Sequence, residues 1–121
     1  MSAHQDVIER YIEGFRRGDH AQVLSCLADD IVWVLHGHQA VRGKAAFAAE
    51  IATDLFDGTP ALEIFRRVEQ GDVVAVFGGG SVTRKGGEIA DFAFSELFVF
   101  EGGRISRIET YHLWTAPTPA L

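Results

Sequence analysis

A single cysteine, Cys26, stands among the 121 residues, so no disulfide can form within the chain. Its place in the apolar run VLSCLA marks a buried thiol and not a nucleophile. Basic residues are also scarce: 11 Lys and Arg face 17 Asp and Glu, a net charge of −6. Arg16-Arg17, Arg66-Arg67 and Arg84-Lys85 are isolated pairs that build no basic stripe, which argues against nucleic acid or an anionic membrane as partner. No apolar run approaches the length that crosses a bilayer. The opening MSAHQDVIERYIEGF lacks a basic segment followed by an apolar stretch and a small-residue cleavage site, so the expected location is cytoplasmic. No Pro-rich or charged linker, repeat or low-complexity segment divides the chain, and its length suits one domain over residues 1–121.

What is present is periodicity of two kinds. From Gln5 to Arg17, Val7, Ile8, Tyr11, Ile12 and Phe15 recur at helical spacing, and Gly18 supplies a stop. Asp19 can cap a short second helix with Val23, Leu24 and Leu27; Asp29-Asp30 then turn the chain into a strand, IVWVLH. Gly43 precedes a third helix, KAAFAAEIATDLF, with Phe47, Ile51 and Leu55 on one stripe. Beyond DGTP the pattern changes to strands at Leu62–Glu69, Val73–Arg84, Glu88–Glu101 and Arg104–Leu113, joined by glycine turns, which predicts an antiparallel meander. The tail TAPTPAL reads as loose. Helices first and a curled sheet after make an α+β layout in which the helices cover one concave face.

Within the third of these strands, IADFAFSELFVFE sets Phe92, Phe94, Glu96, Phe98 and Phe100 on one parity. Residues two apart share a face, so Glu96 projects into the space that the phenylalanines line, where a charge is costly.

The order RYIEGFRRGDHAQVLSCLADD, a strand, VRGKAAF and ELFVFEGGRISRIETYH resembles the nuclear transport factor 2-like superfamily, in its ketosteroid isomerase and SnoaL-like polyketide cyclase branches. The resemblance implies a cone-shaped α+β barrel: three N-terminal helices in a strongly curved, mainly antiparallel sheet around an internal pocket. It also implies roles. Ketosteroid isomerases combine a base carboxylate with two neutral donors, a tyrosine and a protonated acid, that stabilise an oxyanion. Tyr11 and Glu96 stand at the two donor positions, and burial would keep Glu96 neutral. The base position, at the end of the first strand, holds Leu35. His112, on the even parity with Ile108 and Thr110, and His36, next to Leu35, are the candidate replacements.

The same parity assigns the pocket walls to Trp33, Leu35, Ala75, Phe77, Gly79, Phe92, Phe94, Phe98, Ile108 and Thr110. Such a lining suits an apolar small molecule and suits phosphates and sugars poorly. The competing reading of every polar group is structural: Glu96 in an ion pair, Tyr11 in the core, His112 on a backbone carbonyl. His4 and His20 are expected to face solvent, and His38 to lie in a loop. His36-Gly37-His38 lacks the fixed geometry of a metal site, and GGGS at 78–81 lacks a following lysine and helix, so it marks a bend or close packing in a strand. The expected activity is acid/base chemistry of isomerase, cyclase or dehydratase type on an apolar carbonyl-containing or polycyclic ligand, with no metal or cofactor. A non-catalytic binding or dimerisation module is the alternative, with a homodimer expected through the outer face of the sheet.

Overall fold

The structure is a computed structural model that describes residues 2–52 and 55–115. Among the described residues, three helices precede or interrupt six strands: α1 (Ala3–Arg17), α2 (His20–Ser25), β1 (Leu27–Leu35), β2 (Gln39–Arg42), α3 (Lys44–Ile51), β3 (Phe56–Gln70), β4 (Val73–Arg84), β5 (Ile89–Glu101) and β6 (Arg104–Trp114). Helix α1 starts where Ser2 Oγ accepts from the Gln5 amide at 3.1 Å and stops at Gly18, which turns left-handed at φ 66°. Asp19 caps α2 by accepting from the Gln22 amide at 3.0 Å.

The sheet order is β2-β1-β6-β5-β4-β3. β3 to β6 form the expected meander, and β1 joins β6 in parallel, which makes the sheet mixed. It is not a closed barrel: β2 and β3 are its edges, and α1 against β3 and α3 against β1 and β2 fill the gap. Ile8, Tyr11 and Ile12 of α1, Val23, Leu27 and Phe47 meet Val74, Val76, Phe98, Phe100, Ile105 and Ile108 in one core. Cys26 is buried there as a free thiol.

Several expectations change. HGHQAVRG holds β2, a short edge strand paired antiparallel to β1, where a loop was expected. Asp29 and Asp30 lie inside β1 beside an irregularity in its ladder with β6. α3 ends at Ile51, so Leu55 is not on its stripe; residues 53–54 are outside the described set, as is all but Thr115 of the tail. β3 begins at Phe56, six residues earlier than its apolar pattern. His4 is not free in solvent: it stacks on Phe100 with centroids 4.2 Å apart and hydrogen-bonds Asp72.

Gly78-Gly79-Gly80 mark close packing, as expected. A Cβ on Gly78 would clash with the Glu63 carbonyl and stand 2.8 Å from Phe94 Cζ. One on Gly80 would clash with the Ala61 carbonyl and stand 3.2 Å from Phe92 Cζ. The missing side chains let β3 and two pocket phenylalanines come together over β4.

Candidate functional site

The register of β5 decides the position of Glu96. Its pairing with β4 and β6 runs without a shift from Phe92 to Val99, so Phe92, Phe94, Glu96 and Phe98 keep one face, and the irregularity comes only between Val99 and Phe100. Glu96 faces Val76 across β4 and Thr110 across β6. That face encloses a cavity of about 640 Å³, within the range of small-molecule sites. Its walls include Trp33, Leu35, Phe92, Phe94, Thr110 and His112 around Glu96, with Tyr11 reaching in from α1. Glu96 is half-buried and lines this space.

Thr110, 6% exposed, is the one polar group bonded to the Glu96 carboxyl among the described residues: its hydroxyl donates to Oε2 at 2.6 Å. Trp33 Nε1 in turn donates to Thr110 Oγ1 at 2.9 Å. Burial pushes Glu96 up to about 7, and the Thr110 hydrogen bond pulls in the opposite direction. No cation stands beside it among the described residues, where it forms no ion pair.

The Tyr11 ring packs edge-on against Phe15, Phe47 and Phe98. Burial first, then the Glu96 charge, then Cys26, hold its hydroxyl well above the usual phenol range. It remains a proton donor at any physiological pH, and it has no hydrogen-bond partner among the described residues.

The histidines separate. His112 lies on the inward parity of β6, two residues past Thr110 toward the mouth. Its ring stacks on Phe92 at 4.8 Å and meets Trp114 edge-on at 4.5 Å. Burial, then His38, lower its pKa, so it is mostly neutral at pH 7. It stands diagonally from Glu96 across the β5–β6 ladder, and no hydrogen bond or ion pair joins the two side chains among the described residues. His36 touches the cavity rim, but alternation after the inward Leu35 sends its ring to the outer face. There Nε2 hydrogen-bonds Glu109 Oε1 at 2.9 Å and the ring stacks on Tyr111 at 4.3 Å. That contact and Arg107 hold Glu109 below the usual carboxylate range.

Three expected wall residues lie elsewhere. Phe77 is on the outer face, 42% exposed, and Ala75 and Gly79 share its parity; Val74 and Val76 point inward instead. VVAVF is apolar at every position, so alternation carries no phase there. Phe98 and Ile108 face inward but are wholly buried in the core beneath the cavity. Conversely, Phe15, Phe56, Leu62, Val82 and Glu50 line the cavity without having been expected to. Glu50 accepts from Gln39 Nε2 at 2.5 Å at the rim, and its spacing of three from Phe47 was the available signal. Among the described residues, no group of three or more His, Cys, Asp or Glu side chains is arranged to hold a metal.

Residues 8–108 match the SnoaL-like domain family. The chain belongs to that family. An uncharacterised protein of Mycobacterium tuberculosis is 25% identical over 122 residues, covering 96% of this SnoaL-like chain and 93% of its own. An NTF2-like protein of unknown function from Burkholderia pseudomallei superposes with TM-score 0.85 at 25% identity, over 92% of this chain and 91% of its own. TerC, co-crystallised with polyporic acid, superposes with TM-score 0.82 at 27% identity, over 91% of each chain. The fold is thus the NTF2-like cone, and no helix among the described residues is long and apolar enough to cross a membrane.

Proposed function

We propose that this SnoaL-like protein is a small-molecule acid/base enzyme, of isomerase, cyclase or dehydratase type, whose ligand is an apolar carbonyl-containing or polycyclic compound. The observation that carries the reading is Glu96: a carboxyl in an aromatic cavity with no cation beside it among the described residues, whose pKa burial pushes up to about 7. The ligand carbonyl oxygen sits between the Tyr11 hydroxyl and protonated Glu96. His112 takes a proton from the adjacent carbon, that C–H pair becomes a C=C bond, and the carbonyl pair moves to an oxygen held by the two donors. Return of the proton to a different carbon completes an isomerisation. Leu35 stands where related isomerases keep a base, and in this reading the imidazole at the mouth takes that task. The complex of TerC with polyporic acid supports a small organic ligand for this cone.

The test is exchange of solvent deuterium into enolisable aromatic and polycyclic ketones, followed by NMR. Wild-type protein catalyses exchange, and Glu96→Gln and His112→Ala each lose most of it. A compound that binds tightly yet returns undeuterated and unchanged identifies a non-catalytic binding module, the reading that the missing carboxylate at Leu35 favours.

The protein also works as a homodimer through the outer sheet face. Phe77, Ser95 and Tyr111 form one cross-strand row, and Gly79, Ala93 and Leu113 the next, with the Phe65 ring against Gly79. Phe65, Tyr111 and Leu113 are 65%, 50% and 66% exposed in the single chain, an apolar patch that a second copy would cover.

A further inference from the structure

We propose that Trp33 and Thr110 form a positioning relay that fixes which oxygen of Glu96 carries the mobile proton, leaving Oε1 to exchange it with the ligand. The inference rests on the acid/base reading of Glu96 and extends it to two residues that are otherwise only lining. The relay has one direction. An indole N–H can only donate, and Trp33 Nε1 does so to Thr110 Oγ1 at 2.9 Å. The threonine hydroxyl has a single proton, which goes to Glu96 Oε2 at 2.6 Å. If the Glu96 proton sat on Oε2, Thr110 would have to accept from both sides, and its own proton would be left without an acceptor in a nearly buried place. Oε2 is therefore an acceptor in both protonation states, and Oε1 gains and loses the proton.

The relay is tied to rigid parts of the fold. The Trp33 ring packs on Phe47, centroids 4.9 Å apart, and Phe47 is wholly buried. Thr110 lies opposite Leu35 in the β1–β6 ladder and opposite Glu96 in the β5–β6 ladder, so three strands set its position. Its carbonyl accepts from the His36 amide at 3.0 Å. The other groups around Glu96 are Tyr11 from α1, Val76 from β4 and, nearer the mouth, His112 on β6. Tyr11 and His112 are mostly neutral at pH 7, and Glu50 at the rim is engaged by Gln39, so the Thr110 bond is the principal polar influence on the carboxyl.

The Glu96 midpoint can be read from its side-chain carboxyl carbon in NMR pH titrations of the wild type, Thr110→Val, Thr110→Ser, Trp33→Phe and the Trp33→Phe, Thr110→Val double variant. Loss of a hydrogen bond to the charged form should raise the midpoint by about one pH unit in Thr110→Val. Thr110→Ser should stay at the wild-type value, Trp33→Phe should rise by less, and the double variant should rise no further than Thr110→Val. An unmoved midpoint in folded Thr110→Val, or additive shifts in the double variant, overturns the relay. If Thr110→Val does not fold, a raised midpoint in Trp33→Phe supports the relay and an unmoved one overturns it. The acid/base reading fails by a different result, full deuterium exchange by Glu96→Gln, which leaves the titration shifts untouched.

Discussion

Tyr11 meets Phe98 edge-on, ring centroids 5.5 Å apart, and Phe98 is the inward neighbour of Glu96 on β5. One aromatic contact between helix and sheet thus brings the phenol to the carboxyl. The Glu96 charge in turn contributes to the raised Tyr11 value, after burial. In the proposed reaction these two groups are the proton donors to the ligand oxygen, the arrangement that a developing oxyanion requires.

Glu96 makes stability depend on pH with a definite sign. Its pKa rises from an ordinary 4.5 to about 7 on folding, so between those values the folded chain holds a proton that the unfolded chain has released. Stability therefore falls as pH rises through that window and levels off above it. Glu96→Gln removes the dependence and should be more stable than wild type at about pH 8, by up to roughly 3 kcal/mol, and close to it near about pH 4. Urea denaturation at both pH values checks this; a difference that does not change with pH would mean that folding leaves the Glu96 pKa where it is in the unfolded chain.

Tyr11→Phe separates the hydroxyl from the ring. The ring holds three aromatic contacts, which phenylalanine retains, and the hydroxyl has no partner among the described residues. The variant should unfold within about 1 kcal/mol of wild type. Deuterium exchange into a ligand ketone should fall by about 100- to 1000-fold, the range for loss of an oxyanion donor. Unchanged exchange would reduce Tyr11 to a core residue. Ultraviolet titration of the Tyr111→Phe protein should show no phenol ionising up to about pH 10, because burial and Glu96 both oppose it.

Legibility in the sequence followed how local each cause is. The spacing in α1 and the alternation in β5 are signals within one element, and they are enough to set Tyr11 on the buried face of α1 and Glu96 on the inward face of β5. The outward turn of His36 was equally available, since it directly follows the inward Leu35. The face of Phe77 was not, because VVAVF is apolar on both parities and only pairing with β5 sets its phase. The early start of β3 was hidden for a related reason: DGTPALE has little strand character, and its ladder with β4 draws it into the sheet. The Trp33–Thr110 contact depends on the parallel register of β1 and β6, a relation between segments 77 residues apart that no local pattern encodes.

His36→Ala tests the division of the histidines. The ring binds Glu109 and Tyr111 on the outer face, in a surface pair of the kind worth about 0–1 kcal/mol. Stability should change by no more than that, and ligand exchange should stay near the wild-type rate, whereas His112→Ala should lose it. Equal losses in both variants would return His36 to the chemistry.

Gly78→Ala probes the close packing that shapes the cavity. The added methyl would clash with the Glu63 carbonyl on β3 and with the Phe94 ring, and neither backbone nor a packed ring yields cheaply. A destabilisation of roughly 1–3 kcal/mol is expected from such overpacking. Gly86→Ala is the contrasting variant: its Cβ meets open space, but its φ of 104° strains any side chain, so its loss comes from backbone and not from crowding. The two can be told apart at Phe94. Only Gly78→Ala should shift the ring resonances of Phe94 and weaken binding in the cavity. If Gly78→Ala leaves both unchanged, β4 has yielded to the methyl, and the glycine run is not what holds the pocket phenylalanines in place.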